Sequence, residues 1–319
     1  MIASLSCDLD DKWSYMKTHG DAGWETLPSY LDIVVPRILH LLDERGLTAT
    51  FFVVGQDAAL QHNHAILRSI SESGHEIGNH SFKHEPWLHL YSRQEIGAEI
   101  AMAEDAIEQA TGQRPIGFRG PGYSLSAAVV GELMHRGYAY DASTFPTFLT
   151  PLVRMYYFAT ARFSPEEKRR RKALGGTLRD GLRPNRPYYW HVDGKQLCEI
   201  PVTTLPVLKM PMHMSYLFGL RRFSSRLALE YVDLGLRLCR LTHVEPSMVL
   251  HPTDFLGSED GQGLSFIPGM GLPRALKLDF VGEVLDKFRS AFSVMTLCEH
   301  AGLVARRPAL SVLNPSFLQ

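Results

Sequence analysis

The sequence predicts an α/β protein in which about seven strand–helix units surround a parallel sheet or barrel. Three observations lead there. Short apolar runs recur along the chain, apolar residues at helical spacing fill the stretches between them, and five runs end directly on a residue able to do chemistry. Ile2 to Cys7 precedes Asp8, His75 to Gly78 precedes His80, Ile116 to Phe118 precedes Arg119, Tyr138 to Tyr140 precedes Asp141, and Met248 to Leu250 precedes His251. Parallel strands put their carboxyl ends on one rim, so residues remote in sequence meet there.

The elements follow in order. After the first strand comes a long loop rich in Trp13, Trp24 and glycine. Leu31, Val34, Val35, Ile38, Leu41 and Leu42 then recur at helical spacing until Gly46 closes the helix. Thr48 to Val54 is a β-branched and aromatic run suited to a buried parallel strand. A helix is expected over 58–73. Another covers 93–111, with Ser92 as N-cap and Glu95 as its capping-box partner, and a third covers 124–136. Helices over 225–242 and 273–290 flank the strand before His251, and Val294-Met295 forms a last short strand. The unit count favours a barrel over a six-stranded open sheet, and the pattern alone leaves closure open.

The 319 residues, 45% hydrophobic and 21% charged, suffice for one large core, and a single domain over 1–319 is expected. A formal net charge of −1 provides no global basic field of the kind nucleic acid requires. Cys7, Cys198, Cys239 and Cys298 lie far apart and suit reduced, mostly buried thiols. No apolar run approaches the roughly 18 residues of a membrane span, and no signal segment precedes Asp8. The expected location is the cytoplasm, including the inner membrane surface.

Two imidazoles four residues apart, His80 and His84, join a carboxylate from the Asp8-Leu9-Asp10-Asp11 cluster to form the three-ligand face of a divalent metal. With His251 far downstream, this set reads as a metal-dependent hydrolase. Zinc is the default from ligand type, and Co2+, Ni2+, Mn2+ or Fe2+ fit the same ligands.

Five motifs, Asp8-Leu9-Asp10, His80-x-x-x-His84, Arg119-Gly120-Pro121-Gly122, Asp141-Ala142-Ser143 and Leu250-His251, resemble in order and position those of the polysaccharide deacetylases. This is the NodB-homology group, carbohydrate esterase family 4. The resemblance runs from about Ile2 to Leu303 and is closest to the Asp-x-Asp branch, which includes deacylases of lipid-linked sugars and small amides. It implies a distorted (β/α) barrel and metal-dependent hydrolysis of an N-acyl group on an amino sugar. It also implies Asp8 as catalytic base, Asp10, His80 and His84 as metal ligands, Arg119 as the residue orienting the base, and His251 as general acid. Asp11 competes with Asp10 for the metal. Asp141 as partner of His251 is a weaker transfer, because the tryptophan that usually follows is missing.

The chemistry also stands on the residues. Alternation along a strand sends Asp8 and Asp10 to one side, so the two carboxylates share a site with separate duties. Asp8 would take a proton from the attacking water while Arg119 holds it ionised and oriented. The N–H of Gly122 or Tyr123, in a Gly-Pro-Gly turn, is the candidate oxyanion donor. His251, opposite Asp8, would protonate the leaving amine, with Asp141 or Asp254 tuning it. Trp87 is either a substrate platform or core. His75, His89, His213 and His243 read as packing or surface histidines.

The stretch 145–190 breaks the rhythm: it is aromatic and carries a charged, mainly basic run over 166–172. It is expected to be a lid, or an interfacial patch for anionic lipid, with the apolar and basic segment 210–226 favouring the latter. Three functions stay open: a deacetylase of an N-acetylated saccharide, a deacylase or deformylase of a lipid-linked sugar or small amide, and a silent sugar-binding module.

Overall fold

A computed structural model describes residues 1–152, 155, 178–260, 263–308 and 310–315. The basic run 166–172 lies outside them. Strand β1 (Ile2–Leu9) is followed by helix α1 (Lys12–His19), where a loop was expected. Asp11 caps this helix by accepting from Lys12 N, and Gly20 closes it in the left-handed region. Helix α2 (Leu31–Asp43) buries all six of the apolar positions read from its spacing. Each such side chain contributes roughly 1.5–3 kcal/mol.

Next come β2 (Thr50–Val53), α3 (Gly55–Ala58), α4 (His64–Glu72) and β3 (Glu76–Asn79). The single helix expected over 58–73 is thus broken. A 3-10 turn at Gln61–Asn63 interrupts it, and Asn63 Nδ2 donates to Asp57 O, drawing the chain back. Helix α5 (Arg93–Thr111) has the expected ends, with both halves of the Ser92/Glu95 capping box formed. Replacing Ser92 with alanine should lower stability by about 1 kcal/mol, read as a shift in the denaturant midpoint at constant slope. After β4 (Gly117–Phe118), α6 (Ala127–Arg136) starts three residues later than expected because Ser126 is the capping residue. β5 (Tyr140–Asp141) follows.

The stretch expected as an insert ends earlier than its composition suggested. Tyr188–Val192 is strand β6 and Lys195–Glu199 is β7, paired as an antiparallel hairpin. Asp193 (φ 49°) and Gly194 (φ 78°) make the two-residue turn between them, a turn that needs positive φ at both positions. A smaller hairpin joins β8 (Thr204–Leu205) to β9 (Met210–Pro211). Helices α7 (Met214–Arg221) and α8 (Ser225–Leu241), strand β10 (Ser247–Leu250), helix α9 (Arg274–Ala291), β11 (Ser293–Met295), α10 (Leu297–Ala305) and β12 (Val312–Leu313) complete the described chain.

The strands run in the order β10-β1-β2-β3-β4-β5-β7-β6-β12, with β11 beside the first residues of β1. Every pairing from β10 to β7 is parallel, so seven adjacent strands point one way. β1 lies among β10, β2 and β11, and the main core packs around it, α2, α8 and α9. Among the described residues, no helix is long and apolar enough to cross a membrane.

Candidate metal centre

The parallel run from β10 to β4 brings its carboxyl-terminal residues to one rim. Cys7 pairs with Leu250, which sets Asp8 beside His251, and Asn79 pairs with Phe118, which sets His80 beside Arg119. Asp10 lies just past the end of β1, where its N–H turns back to Asp8 O at 2.9 Å and its carbonyl accepts from Tyr30 Oη at 2.6 Å.

Asp10, His80 and His84 are buried and offer ligand atoms that all lie within 4.8 Å of one another. His80 Nδ1 faces Arg119 O at 2.6 Å, which fixes it as the donor and leaves Nε2 directed to Asp10 Oδ1 at 3.4 Å. His84 Nε2 stands 3.0 Å from the same oxygen. Asp10 Oδ1 is nonetheless buried without a well-directed hydrogen bond. Three ligand atoms from buried side chains that converge on one point fit a shared cation.

The electrostatics agree. Burial alone would raise the Asp10 carboxyl pKa, but the charge on His84, with that on His80, outweighs it and holds the group far below the usual range. Burial disfavours the charged form of His80, yet the carboxylates of Asp10 and Asp8 raise its pKa.

The two histidines stand on a loop, not a helix. Ser81 (φ 61°) and His84 (φ 51°) both take left-handed conformations. The loop is pinned where Ser81 N donates to Asn79 Oδ1 and Lys83 N to Glu99 Oε2. Asp11 is drawn elsewhere, accepting from Lys12 N at 2.6 Å and Tyr30 N at 3.1 Å, so the metal set takes Asp10. Trp87 is hydrogen-bonded to Tyr91. The indole set edge-on to His84, at 6.5 Å, belongs to Trp13, whose Nε1 donates to the buried Asp57.

Arg119 is 0% exposed, deep in the site rather than in a surface pair. Its Nη1 reaches Asp8 Oδ1 at 2.6 Å and Ser6 Oγ at 2.9 Å, its Nε donates to Ala142 O, and its plane lies 4.4 Å from the Phe52 ring centre. This holds one oxygen of Asp8 and leaves Oδ2 facing His251 Nε2 at 3.9 Å. His251 therefore stands beside Asp8, not across the site from it. Its backbone N–H donates to Asp254 Oδ2, and the buried Lys277 donates to Thr253 O, so the turn after β10 is clamped.

Asp141 is not the partner of His251. Four strands lie between β5 and β10 in the sheet, and the end of β5 meets β7 instead. There Asp141 pairs with Glu199 and accepts from Ser143 Oγ at 2.5 Å. Burial and the neighbouring Asp141 push the Glu199 pKa up, while its two oxygens accept from Thr144 N and Trp190 Nε1. Ser143 Oγ in turn accepts from Gly120 N, so the pair braces the loop carrying Arg119.

At that loop a side chain on Gly120 would run into Ser124 O, and Gly122 has φ +58°. Of the two proposed oxyanion donors, the Tyr123 N–H is already given to Gly120 O at 2.9 Å, which leaves Gly122.

His213 reads from the sequence as a packing or surface histidine, and its ring centre lies 5.9 Å from that of His251. A lone histidine carries no spacing signal that would have revealed this.

Residues 21–140 match the family model described as polysaccharide deacetylase, a span that holds His80, His84 and Arg119 but not Asp8, Asp10 or His251. A peptidoglycan deacetylase of Helicobacter pylori is 28% identical over 120 residues, 38% of this chain and 40% of that protein. A peptidoglycan-N-acetylglucosamine deacetylase of Listeria monocytogenes is 32% identical over 100 residues, 31% of this chain and 21% of that protein. The chain thus matches two-fifths or less of these curated relatives. A crystal structure titled as a putative polysaccharide deacetylase from Mycobacterium smegmatis superposes with a TM-score of 0.62 at 19% identity, covering 100% of this chain and 93% of that one. The chain is thus similar to the polysaccharide deacetylase family over residues 21–140 and shares the fold of the Mycobacterium smegmatis structure over its length.

Proposed function

We propose that the chain is a metal-dependent deacetylase that removes the N-acetyl group from an amino sugar in a saccharide. The observation that carries this reading is the buried Asp10, His80 and His84 set lying directly beside an Asp8 held by Arg119 and faced by His251. A divalent cation held by those three side chains, zinc first among the candidates, would supply Lewis acidity to a water and to the amide carbonyl.

The remaining work falls to the chain's own groups. Asp8 accepts the proton of the attacking water, and Arg119 fixes the carboxylate so that one oxygen stays turned to the site. Gly122 N–H donates to the oxyanion. His251 Nε2, close to Asp8 Oδ2, delivers a proton to the departing nitrogen, because an amine leaves poorly unless protonated. The presence of base, orienting arginine, ligand set and acid together argues against a silent sugar-binding module.

A second reading, a deacylase or deformylase of a lipid-linked sugar, is favoured by one observation. Leu178, Leu182, Val207 and Leu208 are 64%, 75%, 78% and 61% exposed. Lys209, which donates to Arg183 O, ties their segments together, and such an apolar face suits a peripheral membrane contact.

Acid release from N-acetylated oligosaccharides and from N-acyl or N-formyl sugar phospholipids, on metal-stripped protein with and without zinc, tests both readings. Zinc-dependent acetate release from the oligosaccharides is expected. Release from the phospholipids alone would move the assignment to the second reading, and no release at all would reject both.

A further inference from the structure

Beside the catalytic groups is a row of aromatic side chains that the reaction as derived does not use. Tyr123 and Phe145 have ring centres 4.9 Å apart, Phe145 and His213 5.7 Å, and His213 and Tyr216 4.6 Å, the last pair edge to face. His213 reaches His251 at 5.9 Å, so the aromatic row ends on the proposed proton donor. At the other end, Tyr123 feels the charges of Asp8 and Arg119 and the phenol of Tyr216, which places it over the same rim.

This row is not ordinary core. Tyr123, Phe145, His213, Tyr216 and His251 are all half-buried, so the row opens to solvent. Among the described residues, three of its polar atoms, His213 Nδ1, Tyr216 Oη and His251 Nδ1, are individually buried and have no hydrogen-bond partner. Buried polar atoms in folded proteins nearly always have partners, and three without them in one chain of touching rings mark a place where a ligand supplies them. The two side chains beyond His251 are held together locally, since Tyr216 N donates to His213 O at 3.0 Å.

The required ligand has apolar faces to lie against rings and polar groups around its edge. A pyranose ring has both: C–H faces that pack on aromatic side chains and hydroxyls that pair with a phenol and an imidazole. Burial, and then the charge of His251, hold His213 down to about 3, so it is a neutral imidazole with one donor and one acceptor nitrogen. Burial pushes the Tyr216 phenol up to about 12, so it keeps its proton to donate.

We propose that Tyr123, Phe145, His213 and Tyr216 form a sugar-ring subsite adjoining His251, in which Tyr216 Oη and His213 Nδ1 bind ring hydroxyls. The proposal rests on the deacetylase reading and narrows it: the substrate is recognised as a saccharide and not merely as an acylated amine. His213 and Tyr216 come from the segment after β9, outside the five motifs, and act in specificity.

The test compares wild type with Tyr216→Phe, which removes only the hydroxyl, and His213→Phe, which replaces the imidazole with an apolar ring. Two quantities are read on metal-loaded protein: the ratio of kcat/KM for N-acetylated chito-oligosaccharide to that for 4-nitroacetanilide, and the Kd for the fully deacetylated oligosaccharide by calorimetry. Each variant should lower the ratio and weaken product binding by roughly three- to tenfold, the size of one neutral hydrogen bond, with the loss in KM rather than kcat for Tyr216→Phe. An unchanged ratio together with unchanged Kd, or a wild type that binds no oligosaccharide, overturns the subsite. If wild type cleaves no amide yet binds oligosaccharide more tightly than both variants, the subsite stands and the deacetylase reading falls.

Discussion

Asp8→Asn should lower kcat by about four decades, the upper end of what a general base contributes, while the protein keeps its full complement of metal. An amide cannot take a proton from water, whereas the ligand set of Asp10, His80 and His84 is untouched. The fold should survive because the amide oxygen can still accept from Arg119 Nη1, which also keeps Ser6 Oγ, while its Nε keeps Ala142 O. Weakening that charge-assisted bond costs about 1–3 kcal/mol, a drop visible in thermal melts without loss of folding. Turnover measured beside metal content separates the base from the ligands. A variant with full metal and near wild-type kcat would remove Asp8 from the mechanism.

His80→Ala should lose metal and turnover together. The substitution removes one donor of three and also the bond to Arg119 O, which ties the histidine loop to the end of β4. Chelation of the wild type should give the same inactivity but, unlike the variant, recover on adding zinc. The pH dependence of stability should distinguish the two forms of the wild type.

In the stripped protein His80 has a raised pKa, so its contribution is full below about 6.5, the ordinary histidine value, and is lost as pH rises through the folded value. Asp10, whose pKa is depressed, contributes above the ordinary carboxylate range and loses that only in strong acid. Stripped protein should therefore melt at lower temperature as pH rises past neutrality. The metal-loaded form should gain over that interval, because protons no longer compete for the imidazoles. Parallel slopes in the two forms would reject the shared site.

The fold was most legible where spacing and local chemistry coincided. α2 shows its buried stripe at Leu31, Val34, Val35, Ile38, Leu41 and Leu42, and α5 shows its capping box at Ser92 and Glu95. α1 was missed because Trp13, Ser14 and His19, its buried residues, form no apolar stripe, and because its cap, Asp11, looks like another ligand in a row of carboxylates. The hairpin of β6 and β7 begins inside the stretch 145–190 and runs past its end, and it went unread although Asp193-Gly194 marks its turn.

In the candidate site, groups at strand ends could be read because position on a parallel strand decides where they meet. Asp141 was misassigned because chain order does not reveal that β5 meets β7, far from β10. His213 and Tyr216 follow a two-residue strand, and their meeting with His251 is a tertiary event that no local pattern encodes.

The position of β1 among three partners has a kinetic meaning. Strands hydrogen-bonded on both edges and packed in the main core belong to the last cooperative unit to open, so their amides exchange with solvent mainly through global unfolding. Asp8 is part of that strand and Asp10 follows it immediately, whereas His84 hangs from a loop bent through two left-handed residues. The set therefore joins a carboxylate at the end of a slow-opening strand to an imidazole held on a loop. A metal held there would exchange through opening of the histidine loop, since the strand that anchors Asp10 opens only with the whole domain.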